Sequence, residues 1–290
     1  MLPIRAPQKV DLLLAFGAFL MAFALWQFNP LSPVVYPLRL FVTFIHELGH
    51  GVAALATGGD FLRFEVQENG AGLAYSRGGW RPIVISAGYT GTALFGAALL
   101  WLANRAPRPQ MVALGLGMAF ALLTMFYAGL GLSNFNLLEG MTTLLIFGGA
   151  VYGFTLAQNA YQRALAIGGG VLGGLSLIYF AAGDNLLTVM VGLVSGFLLM
   201  LMGYRAPVGV TIFVLNFLAF AVGFNAISDA WALLQIVSGE GLVPQNDATA
   251  MADETALPAA FWAVLWMGLA LLLMGGVIWR LFMRWKPNRA

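Results

Sequence analysis

The sequence has no cysteine, only two histidines and few charged residues. Without cysteine the protein can form no disulfide, no zinc site with thiolate ligands and no thiol nucleophile. Charged residues make up 9% of the chain and hydrophobic residues 60%, and the formal net charge is only +2. This weak charge, spread over short loops, gives no basis for binding nucleic acid. The composition therefore excludes an ordinary soluble domain and favours a protein that lies in the lipid bilayer.

Long apolar runs dominate the chain, and a helix needs about 20 apolar residues to cross the hydrocarbon core. We predict an all-α polytopic membrane protein with about eight or nine transmembrane helices, which forms a single membrane-embedded unit over residues 1–290. No organelle-targeting feature is present, so we expect a multi-pass protein of a bacterial plasma membrane. The predicted spans are Asp11–Phe28, Val34–Thr57, Ile83–Ala103, Met111–Leu130, Leu137–Ala157, Ala164–Ala182, Asn185–Gly203, Pro207–Leu234 and Pro258–Phe282.

Both histidines lie in one string of five residues, His46-Glu47-Leu48-Gly49-His50, inside the second apolar run. Residues i and i+4 share a helix face, so both imidazoles can reach one metal ion, while Glu47 can reach a water molecule beside it. Zinc suits imidazole ligands with an open position for water. In this apolar setting an unpaired glutamate and two histidines are costly. The alternatives are two histidines hydrogen-bonded within a helix bundle, or a metal site that has lost catalysis.

Two connections between the predicted spans are long. In Gly58–Pro82, Leu62, Phe64 and Val66 alternate with polar residues, Asn69-Gly70 is typical of a turn, and Leu73 and Tyr75 restart the alternation. This pattern predicts a membrane-associated β-hairpin whose edge pairs with an extended substrate, although an amphipathic surface loop would fit as well. The other connection, Gln235–Leu257, is acidic, and the residue pattern assigns it no role.

Two histidines leave a catalytic zinc ion one protein ligand short, and the third must be a carboxylate because the chain has no cysteine and no further histidine. Asp229 is the first candidate, since it lies toward the end of its span as the motif does, with Asn225 one turn earlier as an orienting group. Glu139 and Asp184 lie at span ends, where a carboxylate is easily solvated or serves as a helix N-terminal charge. They are the alternative third ligands.

Several strings in the chain resemble the site-2 protease family of intramembrane zinc metallopeptidases, and more closely its bacterial and plant membrane-peptidase branch. The resemblance is firm over about Phe41–Ala98 and looser over Asp184–Trp266. It places the functional residues in two parts of the chain, 29–103 with the motif helix and hairpin, and 184–282 with the candidate third ligand. The matching strings are Phe44–Gly51, Thr57–Gly59, Tyr75–Gly79, Ser86–Tyr89, Asn225–Leu234 and Asn246–Ala248.

The resemblance implies a zinc endopeptidase that cuts membrane-protein or membrane-peptide substrates within or beside the lipid bilayer. It makes His46 and His50 the metal ligands and Glu47 the general base. Members of the family commonly take a third ligand from a Leu-Asp-Gly string, whereas this chain has Leu138-Glu139-Gly140. Two other functions fit the composition, a proteolytically inactive membrane adaptor or chaperone and a metal-ion transporter. A transporter usually has several ionisable residues along a path through the bilayer.

Overall fold

A computed structural model describes residues 9–28, 32–128, 137–239 and 244–283 of the chain. The described part is mostly helical, and each predicted span coincides with a helix to within a few residues. In chain order the elements are α1 (Lys9–Trp26), α2 (Tyr36–Ala56), β1 (Asp60–Val66), β2 (Gly72–Arg77), α3 (Arg81–Arg105), α4 (Pro109–Tyr127), α5 (Leu137–Leu156), α6 (Ala160–Ala182), α7 (Leu186–Arg205), α8 (Val208–Ser238), α9 (Asp247–Thr255) and α10 (Ala259–Ile278).

Six helical segments of the described chain are long and apolar enough to cross a membrane. They contain α1, α3, α4, α7, α8 and α10, so the helical membrane fold is confirmed, but the predicted count of eight or nine spans is not. The motif helix α2 is not among the six, because Arg39, Glu47 and the two histidines lower its hydropathy.

The core around α2 is aromatic and joins the motif helix to the hairpin, α4 and α7. The rings of Phe44 and Phe120 stack with their centroids 4.9 Å apart, and Phe64 of the hairpin meets Phe44 edge-on at the same distance. On its other side α2 packs on α3, which packs in turn on α8 and α10. Between helices in lipid, buried rings of this kind stabilise the fold through close van der Waals packing. The position of α2 is therefore fixed on both sides.

The predicted β-hairpin is confirmed, with β1 and β2 paired antiparallel. The buried side chains of β1 do not follow the simple alternation predicted from the sequence, because the strand register shifts between Phe61 and Arg63. A bulge of one residue moves the following side chains to the other face. Phe61 is buried as a result, while Leu62, which the alternation placed with Phe64 and Val66, is 55% exposed.

The acidic connection before α10 contains a helix that the residue pattern does not predict. Asn246 caps α9. Its side-chain oxygen accepts a hydrogen bond from the backbone amide of Thr249, and its backbone amide donates to the Thr249 hydroxyl. Such a reciprocal cap satisfies otherwise unpaired donors at the helix start. Ala248 and Met251 are buried against Trp266 of α10. The first residue of the helix, Asp247, is thereby held in a defined position.

Candidate metal centre

Three side chains from opposite ends of the chain meet on the inner face of α2. The Nε2 atom of His46 lies 3.2 Å from Asp247 Oδ2, and the Nε2 atom of His50 lies 3.4 Å from the same oxygen. Within the described residues these three form a group that could hold a metal ion, with all ligand atoms within 4.8 Å of one another. Tetrahedral ligands at zinc bond lengths are about 3.3 Å apart. The two measured separations match that spacing.

The backbone of α3 orients one imidazole. His50 Nδ1 lies 2.7 Å from the carbonyl oxygen of Val84, and His50 is buried, with 8% of its surface exposed. A carbonyl oxygen only accepts, so Nδ1 carries the proton and donates it. Nε2 is therefore the nitrogen that can coordinate a metal ion once it has lost its own proton, and an outer hydrogen bond of this kind also fixes the ring orientation.

Asp247 receives its position from the start of α9 and its charge state from the two histidines. Burial by itself would raise the pKa of the Asp247 carboxyl, but the imidazoles of His50 and His46 outweigh burial and hold the pKa well below its usual range. The carboxylate is therefore ionised, the form that binds a cation. An ion pair of 2.8 Å between Arg81 and Glu254 further connects α9 to the start of α3.

A glycine on α3 leaves the space in front of the two imidazoles open. A Cβ atom at Gly88 would meet Nε2 of both His46 and His50. One residue earlier, the Ala87 carbonyl oxygen lies where a side chain at Gly49 would be, so α2 and α3 are in close contact here. The sequence alone suggests helix packing in lipid as the task of Gly88. The structure gives this position a second role, since any side chain would fill the space between the candidate ligands.

The β-hairpin lies along α2 on the side of Glu47. The Tyr36 hydroxyl donates to the Glu68 carbonyl at 2.7 Å, and the Thr43 hydroxyl donates to the Gly70 carbonyl at 2.8 Å. Gly72, the first residue of β2, packs directly on the Glu47 carboxyl, and a Cβ atom there would collide with it. Glu47 is 5% exposed. Its carboxyl is therefore held beside the two histidines by the start of β2.

Residues of α2, the hairpin, α3, α8 and the start of α9 line a cavity of about 570 Å³. His46, Glu47, His50 and Asp247 all line it, together with residues of the hairpin, α3 and α8. The hairpin contributes backbone as well as side chains, through Gly70–Ala74 and Ser76. A cavity of this size is typical of a ligand or active site.

Asp229, the predicted third ligand, lines the same cavity but does not join the group of ligand atoms in the described chain. It interacts electrostatically with His46 and Arg39, and it also lines a smaller cavity of about 150 Å³. Asn225, which sequence reasoning assigned to orient Asp229, donates its amide hydrogen to the Ala221 carbonyl at 2.8 Å. The carboxylate that the structure brings to the two histidines is thus Asp247.

The two alternative ligands lie elsewhere. Asp184 is exposed in a short 3₁₀ turn before α7, away from the residues that line the cavity. Glu139 belongs to the first turn of α5, and its side chain lies outside the described part of the structure. Asp247 was not among the predicted ligands because it lies in the acidic connection Gln235–Leu257, outside the apolar spans. The available signals were its string Asn246–Ala248, which resembles the family, and its place after a capping residue.

Comparison with known protein families gives a match to the family described as Peptidase M50B-like, over residues 14–179 and again over residues 131–277. Together these ranges include the motif helix, the hairpin, the candidate ligands and α8 to α10. No curated protein and no solved structure matches the chain. The two histidines, Glu47 and Asp247 line one cavity, and several helices are apolar enough to cross a membrane. Because the family match covers most of the chain, the protein belongs to the Peptidase M50B-like family, a site-2 protease family, and is an integral membrane metallopeptidase.

Proposed function

We propose that the protein is a zinc endopeptidase that hydrolyses peptide bonds of membrane-protein substrates within or next to the bilayer, in a bacterial plasma membrane. The observation that carries this proposal is the meeting of three features in one cavity. These are the ligand group of His46, His50 and Asp247, the buried carboxyl of Glu47, and the backbone of β2.

The donor set supports zinc as the metal. Two imidazoles and one carboxylate are a common protein ligand set of catalytic zinc, which leaves a further position open. We therefore assign His46, His50 and Asp247 as ligands and replace Asp229, the ligand predicted from sequence, by Asp247. A bound zinc ion would lower the pKa of a water molecule to about 7 and polarise a substrate carbonyl.

Glu47 is assigned as the general base. It is buried in the cavity wall and interacts electrostatically with His46, His50 and Asp247. From this position Glu47 accepts a proton from the attacking water and then delivers it to the amide nitrogen that leaves. The substrate bond is thereby broken without a covalent enzyme intermediate.

The strand β2 is assigned as the surface that holds the substrate. In the described chain β2 pairs with β1 alone, so its other edge has no strand partner, and Gly72–Ala74 line the cavity. An extended peptide can add to such an edge through main-chain hydrogen bonds. A transmembrane substrate must unwind before its peptide bond is accessible, because helical backbone groups are already paired. Pairing with β2 would stabilise the unwound segment beside Glu47.

Glu47→Gln tests this proposal. The wild type and the variant are reconstituted with zinc in liposomes that contain a mixture of extracted membrane proteins, and new N-termini are counted by mass spectrometry. We expect the wild type to generate new termini inside or near apolar segments. The variant should retain its zinc and lose at least about 100-fold of this activity, since general-base catalysis supplies about 10²–10⁴-fold.

The other outcomes separate the rival functions. A wild type that holds zinc but generates no termini would favour the adaptor, and equal cleavage by both proteins would remove Glu47 from the mechanism. Zinc flux into the same liposomes, measured with an internal indicator, would favour the transporter. His46→Ala is the control that removes metal binding, and it should abolish cleavage.

A further inference from the structure

Peptide hydrolysis builds negative charge on the carbonyl oxygen, and enzymes stabilise it with hydrogen-bond donors that are already in place. The proposed ligands and base of this protein leave the position of such a donor open, and the sequence does not identify one. The polar residues around the cavity therefore decide which group can serve.

Two polar side chains that line the cavity are already engaged in hydrogen bonds. The Thr43 hydroxyl donates to the Gly70 carbonyl at 2.8 Å. The Asn246 amide donates to the Pro244 carbonyl at 2.8 Å, and its oxygen caps α9. Neither group is free to bind an oxyanion without disturbing the hairpin or the position of Asp247.

Tyr89 also lines the cavity, and its hydroxyl makes no hydrogen bond to any residue in the described ranges. It follows Gly88, the residue that faces both imidazoles. Its ring lies 4.8 Å from the His46 ring, centroid to centroid, with the two planes at 86°. The phenol therefore stands next to one of the proposed ligands.

The ring of Tyr89 is also held firmly. It stacks on Trp266 with the centroids 4.9 Å apart and the planes at 7°, and Trp266 is itself 2% exposed. Contacts on two sides restrict the ring, so the hydroxyl needs little reorganisation during the reaction. Donors fixed in this way are the effective ones in a site that excludes water.

The charges around the hydroxyl suit a donor. The groups that interact electrostatically with it are the carboxyls of Asp247, Asp229 and Glu47. A phenol ordinarily ionises near pH 10, so it carries its proton near neutral pH and can donate.

We propose that Tyr89 is a catalytic residue that donates its hydroxyl hydrogen to the substrate carbonyl oxygen as negative charge develops there. This inference rests on the proposed peptidase function and adds a residue to it. No proton is transferred from Tyr89, and the hydrogen bond strengthens as the carbonyl becomes tetrahedral.

Tyr89→Phe is the test, because it removes the hydroxyl and keeps the ring on Trp266. The variant should bind zinc and unfold like the wild type, lose about 100-fold in kcat and keep KM within about threefold. A phosphinic peptide built on the sequence that the wild type cleaves mimics the tetrahedral state, and its affinity should fall by a similar factor. A hydroxamate of the same sequence binds chiefly through the metal and should change little.

The matched control is Tyr127→Phe, a half-buried tyrosine that stacks on Phe61 and does not line the cavity. It should leave the rate and both affinities unchanged. Unchanged kcat and phosphinic affinity in Tyr89→Phe would overturn the inference, as would a loss of zinc that explains the lower rate. If Glu47→Gln cleaves as well as the wild type, the peptidase assignment fails instead, whatever Tyr89→Phe does.

Discussion

At the scale of residues, two aspartates line the cavity, and within the described residues Asp247 is the one that belongs to the group that could hold a metal ion. Asp247 Oδ2 lies 3.2 and 3.4 Å from the two imidazole nitrogens, at the spacing of tetrahedral ligands, whereas Asp229 reaches His46 only as an electrostatic neighbour. The pair offers a matched comparison. Both are aspartates in one cavity, and both can be changed to asparagine without altering their size.

We expect Asp247→Asn to weaken zinc binding by more than about 100-fold, because changes to groups that merely support ligands already cost about 10- to 100-fold. Asp229→Asn should stay within about threefold of the wild type. Zinc per protein, followed by competition with a chelator, measures both. Loss of zinc in Asp229→Asn with retention in Asp247→Asn would restore the ligand set predicted from sequence.

At the scale of elements, the centre depends on how closely α2, α3 and the hairpin approach one another. Glycines allow this at two contacts, Gly88 against the imidazoles and Gly72 against the Glu47 carboxyl. The short helix α9 adds Asp247 through its capped N-terminus. The candidate metal centre is therefore formed by four elements, none of which contains the complete site.

Gly88→Ala is expected to lower zinc affinity by at least about 10-fold, because the added methyl group would meet both Nε2 atoms and displace the rings from their common position. Gly91→Ala, one turn further along α3, is the control. Its methyl group would lie 3.5 Å from Gly49 Cα, an ordinary contact, so zinc binding should persist. Equal affinities for the wild type and Gly88→Ala would contradict the position assigned to the metal.

At the scale of the whole molecule, the proposed ligands connect the beginning of the chain with its end. His46 and Asp247 are 201 residues apart, and they lie on elements that pack through α3. A metal ion bound by both would cross-link the two parts of the fold. Any ligand that binds the folded state alone stabilises it in proportion to its occupancy.

Zinc at about 100 times its dissociation constant should therefore add about 2.7 kcal/mol to the free energy of unfolding. Thermal unfolding in detergent, with zinc or with a chelator, should show this as a higher Tm in the presence of zinc. His46→Ala should show no such difference. If the wild type has the same Tm with zinc and with the chelator, a metal ion does not link α2 to α9.

The helical membrane fold could be predicted from sequence because it depends on local properties. Apolar runs set the helices, alternation and Asn69-Gly70 set the hairpin, and the four-residue spacing of His46 and His50 put both on one helix face. The bulge near Phe61 was not predictable, since packing of the hairpin on α2 decides which side chain is buried.

Only the tertiary structure shows which carboxylate lies beside the two imidazoles, because proximity between residues far apart in the chain depends on how the helices pack. Depth in the membrane suggested Asp229, which does line the cavity, but the position of α9 places Asp247 beside both imidazoles. The same packing places Tyr89 beside His46 and Gly88 in front of both rings. The sequence determined which chemical groups the site can use, and helix packing determined which of them meet.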